Sequence, residues 1–303
     1  MKIVVVGTGA IGGYFGGYLH KGGNEVTFIA RGQHLSVMKE QGLKLSTELN
    51  EWIVHATFTD QYDDISDADL VLFTVKSTET KSTIQKIKPY MDQGTARILT
   101  LQNGVDNEEV LIEMFGIERV LTGSAYISSQ VKEPGHVVQQ GNHAVFIGCL
   151  HHSQEQFVEQ ISLAFKEAGV TCILTDQIMK KKWDKLLWNV TFNPLSAVSK
   201  ATVGEILDHE HLNNTAHQVL EEAINIAVAS GIPIHEDMKT RIFVDANSVR
   251  SHQTSMLQDR LKGKPMEIQS LCGFFVRKGQ ELEVDVPVIK TIYSLLAFIE
   301  TRG

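Results

Sequence analysis

Lys2-Ile3-Val4-Val5-Val6-Gly7-Thr8-Gly9-Ala10-Ile11-Gly12 opens the chain, and its reading decides the fold. The run ending at Val6 is continuously apolar, as a strand buried on both faces of a parallel sheet must be. A Gly-x-Gly-x-x-Gly turn follows it directly, and Ala10–His20 then takes up a helical pattern. Glycines cluster in many turns, but a strand before and a helix after make this one a dinucleotide-binding turn. Gly7 makes the tight turn, Gly9 lets the backbone approach a pyrophosphate, and Gly12 lets helix and strand pack closely. Thr8, Ala10 and Ile11 complete the loop, and the helix N-terminus offers unpaired N–H groups and a positive dipole end to phosphate.

Outward from this turn, β-branched runs alternate with helical patterns. Glu25–Ala30, Leu70–Val75 and Arg97–Leu101 read as further buried strands. Val120–Ile127, His136–Gln140 and Ala144–Gly148 read as strands joined by turns, with Pro134-Gly135 as one turn. A helix over Glu155–Ala168 and a strand over Val170–Leu174 close the series. Such alternation predicts an α/β domain of Rossmann type with a parallel sheet. After about Thr175 the strand signals stop. Amphipathic patterns over Ile178–Leu195, His211–Ser230, Asp237–Gln258, Glu267–Lys278 and Pro287–Glu300 predict an all-helical second half, punctuated by Gly and Pro. The expected division is 1–175 for the dinucleotide-binding domain and 176–303 for a helical substrate domain. A ligand cleft between two such domains is the natural expectation.

The bulk numbers agree with two domains, since 303 residues exceed the size of one comfortable core. A formal net charge of −8 argues against a nucleic-acid partner, whose phosphates need a basic surface. The run Lys180-Lys181-Lys182 reads as a solvated helix face. The three cysteines, Cys149, Cys172 and Cys272, form no Cys-x-x-Cys and point to a reducing compartment. No segment approaches the roughly 20 apolar residues of a membrane span, and Ile3–Val6 is too short for a signal-peptide core. A cytoplasmic protein with no membrane partner and no metal site is expected.

The end of the second strand bears on the type of dinucleotide. NAD-binding chains usually place an acid there for the ribose 2′-hydroxyl. This chain reads Val26-Thr27-Phe28-Ile29-Ala30-Arg31, with an arginine and no acid. A guanidinium pairs with a 2′-phosphate that a carboxylate would repel, so NADPH is the expected cofactor. Lys76 and Asn103-Gly104 follow later strands. Ligands of open parallel sheets sit beyond the carboxyl ends of the strands, so Gly7, Arg31, Lys76 and Asn103 should share one rim.

In the second half, Lys185, Asn189 and Asn193 recur at i, i+4 and i+8 within an apolar helix, on one face. That stripe either lines a cleft or is an ordinary solvated face. If it lines a cleft, Lys185 suits the reduction of a ketone: an ammonium can stabilise negative charge developing on the oxygen and then donate a proton. Glu267, just after Pro265, reads by itself as an acid placed for the helix dipole, and Ser255 as an ordinary helix-face residue.

Together these segments make a familiar set. The chain resembles the ketopantoate reductase (2-dehydropantoate 2-reductase) family nearly end to end. The resemblance rests on Gly7–Gly12, Arg31, Val75-Lys76, Asn103-Gly104 and Pro134-Gly135-His136-Val137 before Ile147-Gly148. It continues through Trp183-Asp184-Lys185-Leu186, Asn189, Asn193-Pro194-Leu195, Thr254-Ser255-Met256-Leu257-Gln258-Asp259 and Glu267-Ile268. It implies a Rossmann-type domain followed by a helical domain of 6-phosphogluconate-dehydrogenase-like type. It also implies NADPH-dependent reduction of ketopantoate to pantoate in pantothenate and coenzyme A biosynthesis. By that resemblance Lys185 is the proton donor, and Asn189, Asn193 and Ser255 hold the substrate. Lys76 and Asn103 contact cofactor, Asn103 near substrate as well, and Glu267 lies where cofactor and substrate meet. The implied partner is a small-molecule 2-keto acid, with a homodimer left open.

Two positions depart from the family pattern: His252 and Val203 each stand where an asparagine can occur. Another 2-keto acid is therefore an alternative substrate. A β-hydroxyacid dehydrogenase is a second alternative, although its resemblance would predict lysine and asparagine three apart, where Lys185 and Asn189 are four apart. A non-catalytic NADPH-binding regulator is a third, but would be free to lose the lysine that this chain keeps.

Overall fold

Ile3, Val4, Val5 and Val6 are all buried, and their side chains alternate between two separate cores. That is the physical reason for the continuous apolar run: a central parallel strand has no solvent face. The computed structural model describes residues 1–302. Its strands in chain order are β1 (Lys2–Val6), β2 (Glu25–Ile29), β3 (Leu43–Ser46), β4 (Glu51–Val54), β5 (Thr57–Thr59), β6 (Leu70–Phe73), β7 (Arg97–Thr100), β8 (Val120–Glu133), β9 (His136–Gly148) and β10 (Cys172–Leu174). The helices among them are α1 (Ala10–Lys21), α2 (Gly32–Gln41), α3 (Thr80–Met91), α4 (Asn107–Phe115) and α5 (Glu155–Glu167).

All ten strands form one sheet in the order β4-β3-β9-β8-β7-β6-β1-β2-β5, with β10 beside β9. Among the described residues only β8–β9 and β3–β4 pair antiparallel, each being a hairpin, and every other pair is parallel. One face of β1 carries Ile3 and Val5 into a core with Tyr14, Phe15 and Leu19 of α1 and Ile161 and Phe165 of α5. The other carries Val4 and Val6 into a core with Ile84, Ile87 and Met91 of α3 and Leu111 of α4. The expectation of an α/β Rossmann-type sheet followed by helices holds.

Differences in detail have local causes. The strands expected separately over His136–Gln140 and Ala144–Gly148 are one strand. Ile127 faces His143 while Ser128 faces Gln140, so the chain bulges between them at Gly141, whose φ is +68°. The side-chain amide of Gln139 donates to the Gly141 carbonyl at 2.7 Å and holds the bulge. The short strands β3, β4 and β5 were not anticipated, because three or four residues carry too little periodicity to be read.

Gly104–Asp106 and the chain from Met179 onward form a second compact unit, separate from Met1–Asn103 with Asn107–Ile178. Its helices are α6 (Ile178–Ser199), α7 (Val203–Asp208), α8 (Glu210–Ala229), α9 (Met238–Ser248), α10 (Ser255–Leu261), α11 (Phe274–Leu282) and α12 (Pro287–Glu300). Trp183, Leu186, Leu187, Val190 and Phe192 of α6 are buried in the core of this unit. The single helix expected over Asp237–Gln258 is two helices. Between them, the carbonyls of Arg250 and His252 accept the N–H groups of Gly204 and Val203, at 2.7 and 3.1 Å, from the start of α7. Thr254 then caps α10 through Leu257 N–H. The start of α7 carries its own signal, a Thr202–Glu205 capping box. The helix expected from Glu267 begins instead with a π-helical turn over Gln269–Gly273. Among the described residues, no helix is long and apolar enough to cross a membrane.

Candidate active site

The strand register brings the loops of the first unit to one edge. Val6 pairs with Ile29 on one side and Phe73 on the other, and Phe73 pairs with Thr100. The segments beginning at Gly7, Ala30, Thr74 and Leu101 therefore all leave from one rung at the carboxyl ends of the strands. Gly7 has φ +99°, and an added Cβ would stand 2.7 Å from the Val75 nitrogen. The Thr74 hydroxyl donates to the Gly7 carbonyl at 2.8 Å. A Cβ on Gly12 would lie 2.3 Å from Thr74 Oγ1 and 2.4 Å from the Gly7 oxygen, so only glycine lets α1 sit this close. Thr8 is buried and bonds the Ile29 carbonyl through both its N–H and its hydroxyl, at 3.1 and 2.9 Å.

These residues fit a dinucleotide. A Cβ on Gly9 would meet nothing within 4 Å, which leaves open space over the start of α1. That helix has no side-chain cap and no acid in its first turn, so the N–H groups of Ala10, Ile11 and Gly12 face no competing anion of their own helix.

Arg31 precedes α2, is 74% exposed at its side chain, and pairs with Glu79. Lys76 is exposed and immediately precedes the 3-10 turn Ser77–Glu79 that supplies this carboxylate. Asn103 is half-buried, and its carbonyl accepts from Asn107 Nδ2 at 2.8 Å. Sequence reasoning missed the residues that hold these loops. Buried Gln102 donates to the Val75 carbonyl and to Thr80 Oγ1, both at 2.8 Å, and Thr80 donates on to Asn107 at 3.1 Å. Nothing in the sequence distinguishes Gln102 from a loop glutamine. Glu79 could have been found only by asking what faces Arg31 from the neighbouring loop.

In the second unit, α6 is continuous through Lys185, Asn189 and Asn193, so the stripe is real. It is not a solvated face: Asn189 is 8% exposed and Asn193 4%, and Lys185 is half-buried. The Asn193 Oδ1 atom is buried without a hydrogen-bond partner, an arrangement that costs free energy unless a ligand or water satisfies it. Burial pushes the Lys185 ammonium down to about 8; the charge of Lys182 adds to this, and the Glu267 carboxylate opposes it. The reading of Lys180-Lys181-Lys182 as a solvated face is corrected here. Lys182 is 4% exposed and lies one turn before Lys185, while Lys180 pairs with Asp184 at 3.5 Å. The cause is that α6 is flanked by core on most of its circumference, so few of its positions reach water.

Glu267 is half-buried, and its carbonyl accepts the N–H of Leu271 at the entry to the π turn. Such turns are rare in proteins and often mark functional positions. Ser255 is exposed at the first position of α10. The two departures from the family pattern meet: Val203 is fully buried in the helical core, and its N–H is bonded to the carbonyl of His252. The His252 ring is half-buried, 6.1 Å from that of Trp188.

Comparison with known proteins places this architecture. Residues 3–152 match the family model Ketopantoate reductase PanE/ApbA, and residues 177–300 match its C-terminal counterpart. The 2-dehydropantoate 2-reductase of Pyrococcus horikoshii is 30% identical over 303 residues, spanning 100% of this chain and 99% of that protein. The crystal structure of a PanE/ApbA family ketopantoate reductase from Ralstonia eutropha JMP134 has a TM-score of 0.93 at 32% identity, covering 100% of this chain and 99% of the other. A ternary structure of D-mandelate dehydrogenase with NADH and anilino(oxo)acetate has a TM-score of 0.90 at 23% identity, again covering 100% and 99%, and so shares the fold. The protein is an oxidoreductase with a parallel-sheet N-terminal unit and a helical C-terminal one. It belongs to the ketopantoate reductase PanE/ApbA family.

Proposed function

We propose that the protein reduces 2-dehydropantoate to pantoate with NADPH, in the cytoplasm, as a step of pantothenate and coenzyme A biosynthesis. The observation that carries this reading is the buried polar stripe of α6, with the Lys185 ammonium pushed down to about 8 by burial and Asn193 Oδ1 lacking a partner. In this reading the N-terminal domain, 1–175, holds the dinucleotide and the helical domain, 176–303, holds the substrate.

A bound reduced nicotinamide would supply a hydride to the ketone carbon of the substrate. The ketone oxygen then carries the developing negative charge, and the Lys185 ammonium stabilises it and delivers the proton that completes the alcohol. A lysine lowered to about 8 is still mostly protonated at neutral pH, yet gives up its proton far more readily than a solvated one. Asn189 and Asn193 orient the keto acid through their amides, with Ser255 as a further hydroxyl contact. Glu267 keeps Lys185 charged between turnovers by opposing the desolvation. In the first unit, Gly7, Thr8, Gly9, Ala10, Ile11 and Gly12 receive the pyrophosphate, Arg31 the 2′-phosphate, and Lys76 and Asn103 the remainder of the cofactor.

The reading is tested by following loss of the reduced-nicotinamide absorbance with ketopantoate and a panel of other 2-keto acids. Turnover of ketopantoate well above the rest supports it; turnover of another acid and none of ketopantoate would replace the substrate and keep the chemistry. One observation favours that second outcome: an imidazole beside Trp188 at position 252 supplies an aromatic surface where an amide was expected.

A further inference from the structure

The side chain expected to recognise a 2′-phosphate already has a partner. The guanidinium of Arg31 donates to Glu79 Oε1. The two residues lie on loops of one rim, on either side of the turn that follows β1. Arg31 stands two residues beyond β2 and Glu79 in the turn after β6, with Ile29 and Phe73 flanking Val6 in the same rung. Asp60 follows β5, the edge strand that pairs with β2. The β5 segment leading to Asp60 is tied to the Arg31 loop by the bond from Ala30 N–H to the Thr59 carbonyl, at 3.0 Å.

A guanidinium has five N–H donors, and Glu79 engages Arg31 through Nη2, leaving the Nε and Nη1 sides for a further acceptor. A carboxylate is acceptor only. The two nucleotide chemistries therefore meet different responses at this pair. A ribose 2′-phosphate is attracted by Arg31 and repelled by Glu79. A ribose 2′-hydroxyl can donate to Glu79 while it accepts from Arg31, so it finds both of its roles answered.

We propose that Glu79 is a specificity-determining residue: paired with Arg31, it narrows the preference for the 2′-phosphorylated dinucleotide and lets the unphosphorylated one bind the same subsite. This rests on the reading of Arg31 as the 2′ subsite. The sequence places no acid at the end of β2, and the fold supplies one from the next loop.

The test is calorimetric binding of ADP-ribose and 2′-phospho-ADP-ribose to the full-length protein, at fixed low salt, with wild type, Glu79→Gln, Glu79→Ala and Arg31→Gln. Neither ligand can be turned over, so the readout is independent of catalysis. Wild type should bind the two ligands within about tenfold of each other. Both Glu79 variants should tighten the 2′-phosphate form by about five- to tenfold, the range of an exposed pair acting on a doubly charged group, and leave ADP-ribose equal or weaker. Arg31→Gln should weaken the 2′-phosphate form by about tenfold or more. Unchanged ratios in both Glu79 variants, beside a clear loss in Arg31→Gln, would overturn the role of Glu79 and leave the subsite standing. No effect of Arg31→Gln on either ligand would overturn both. Glu79 is half-exposed in a surface turn, and the alanine variant guards against an effect peculiar to the amide.

Discussion

Gln102 donates from its side-chain amide to Thr80 Oγ1 at 2.8 Å, and so ties the loop after β7 to the loop after β6. The same nitrogen reaches the Val75 carbonyl at 2.8 Å. Gln102 is buried, so removing its amide leaves the Thr80 hydroxyl and the Val75 carbonyl without that donor. Gln102→Ala should cost about 1–3 kcal/mol of stability. It should also weaken dinucleotide binding, because Lys76 and Asn103 lie on the loops it joins. Chemical denaturation and nucleotide titration would check both effects, and a variant as stable as wild type would show the bonds to be incidental.

Gly12→Ala should be tolerated worse than a helix propensity scale suggests. Alanine is the better helix former, by roughly 1 kcal/mol. Here its methyl would press on Thr74 Oγ1 and the Gly7 carbonyl, which are themselves joined. Overpacking of this kind costs about 1–3 kcal/mol, which outweighs the propensity gain. Loss of nucleotide binding with a lowered melting midpoint is expected; normal affinity would mean that α1 can shift away freely.

Lys185→Ala should abolish turnover while the nucleotide still binds. If kcat stayed within about tenfold of wild type, equivalent to ~1.4 kcal/mol in the barrier, the proton-donor role would be wrong.

The pH profile follows from the same residue. In the proposed role Lys185 must be protonated to act as donor, and its folded pKa is lowered from the ordinary lysine value to about 8. Reduction should therefore hold its rate below about 8 and fall as pH rises through it; the reverse reaction should gain over the same range. Lys182→Met removes a neighbouring positive charge that favours the neutral amine, so the alkaline limb should move to higher pH. A limb that stays in place would separate Lys182 from the tuning.

Glu222 offers a test that concerns folding alone. Its two carboxylate oxygens accept the N–H groups of Val288 and Ile289, each at 2.9 Å, at the start of α12. Pro287 leads that helix and has no N–H to satisfy. Glu222→Gln keeps the shape but only one accepting oxygen, and should cost about 1–2 kcal/mol. A denaturation midpoint unchanged from wild type would show that water can replace the cap.

Much of the fold was legible because its signals are local. β1, α1 and the glycine turn could be read from adjacent residues, and so could the stripe at Lys185, Asn189 and Asn193, which needs only the helical period. The strands β3 and β5 escaped for the opposite reason: what makes them strands is their neighbours β9 and β2, far along the chain, and β4 is a strand only by pairing with β3. The Asp237–Gln258 pattern misled because the break at Arg250 and His252 is made by hydrogen bonds from Gly204 and Val203, not by a helix-breaking residue. Val203 shows the same limit at the site, since its departure from the family pattern falls in the helical core.

By itself, the sequence determined that a dinucleotide-type turn begins a parallel sheet and that a lysine and two asparagines share one face of a later helix. Those properties follow from the periods of strand and helix and from the conformational freedom of glycine, and need no distant partner. Only the tertiary structure decided what surrounds each charge. Glu79 reaches Arg31 across 48 residues because the parallel strands on either side of β1 end on the same rung and send their loops to one rim. Lys182 and Lys185 are withdrawn from water because the helix that carries them is packed into a core. Charge and desolvation act through space, and the distances that govern them come into being only when the chain folds.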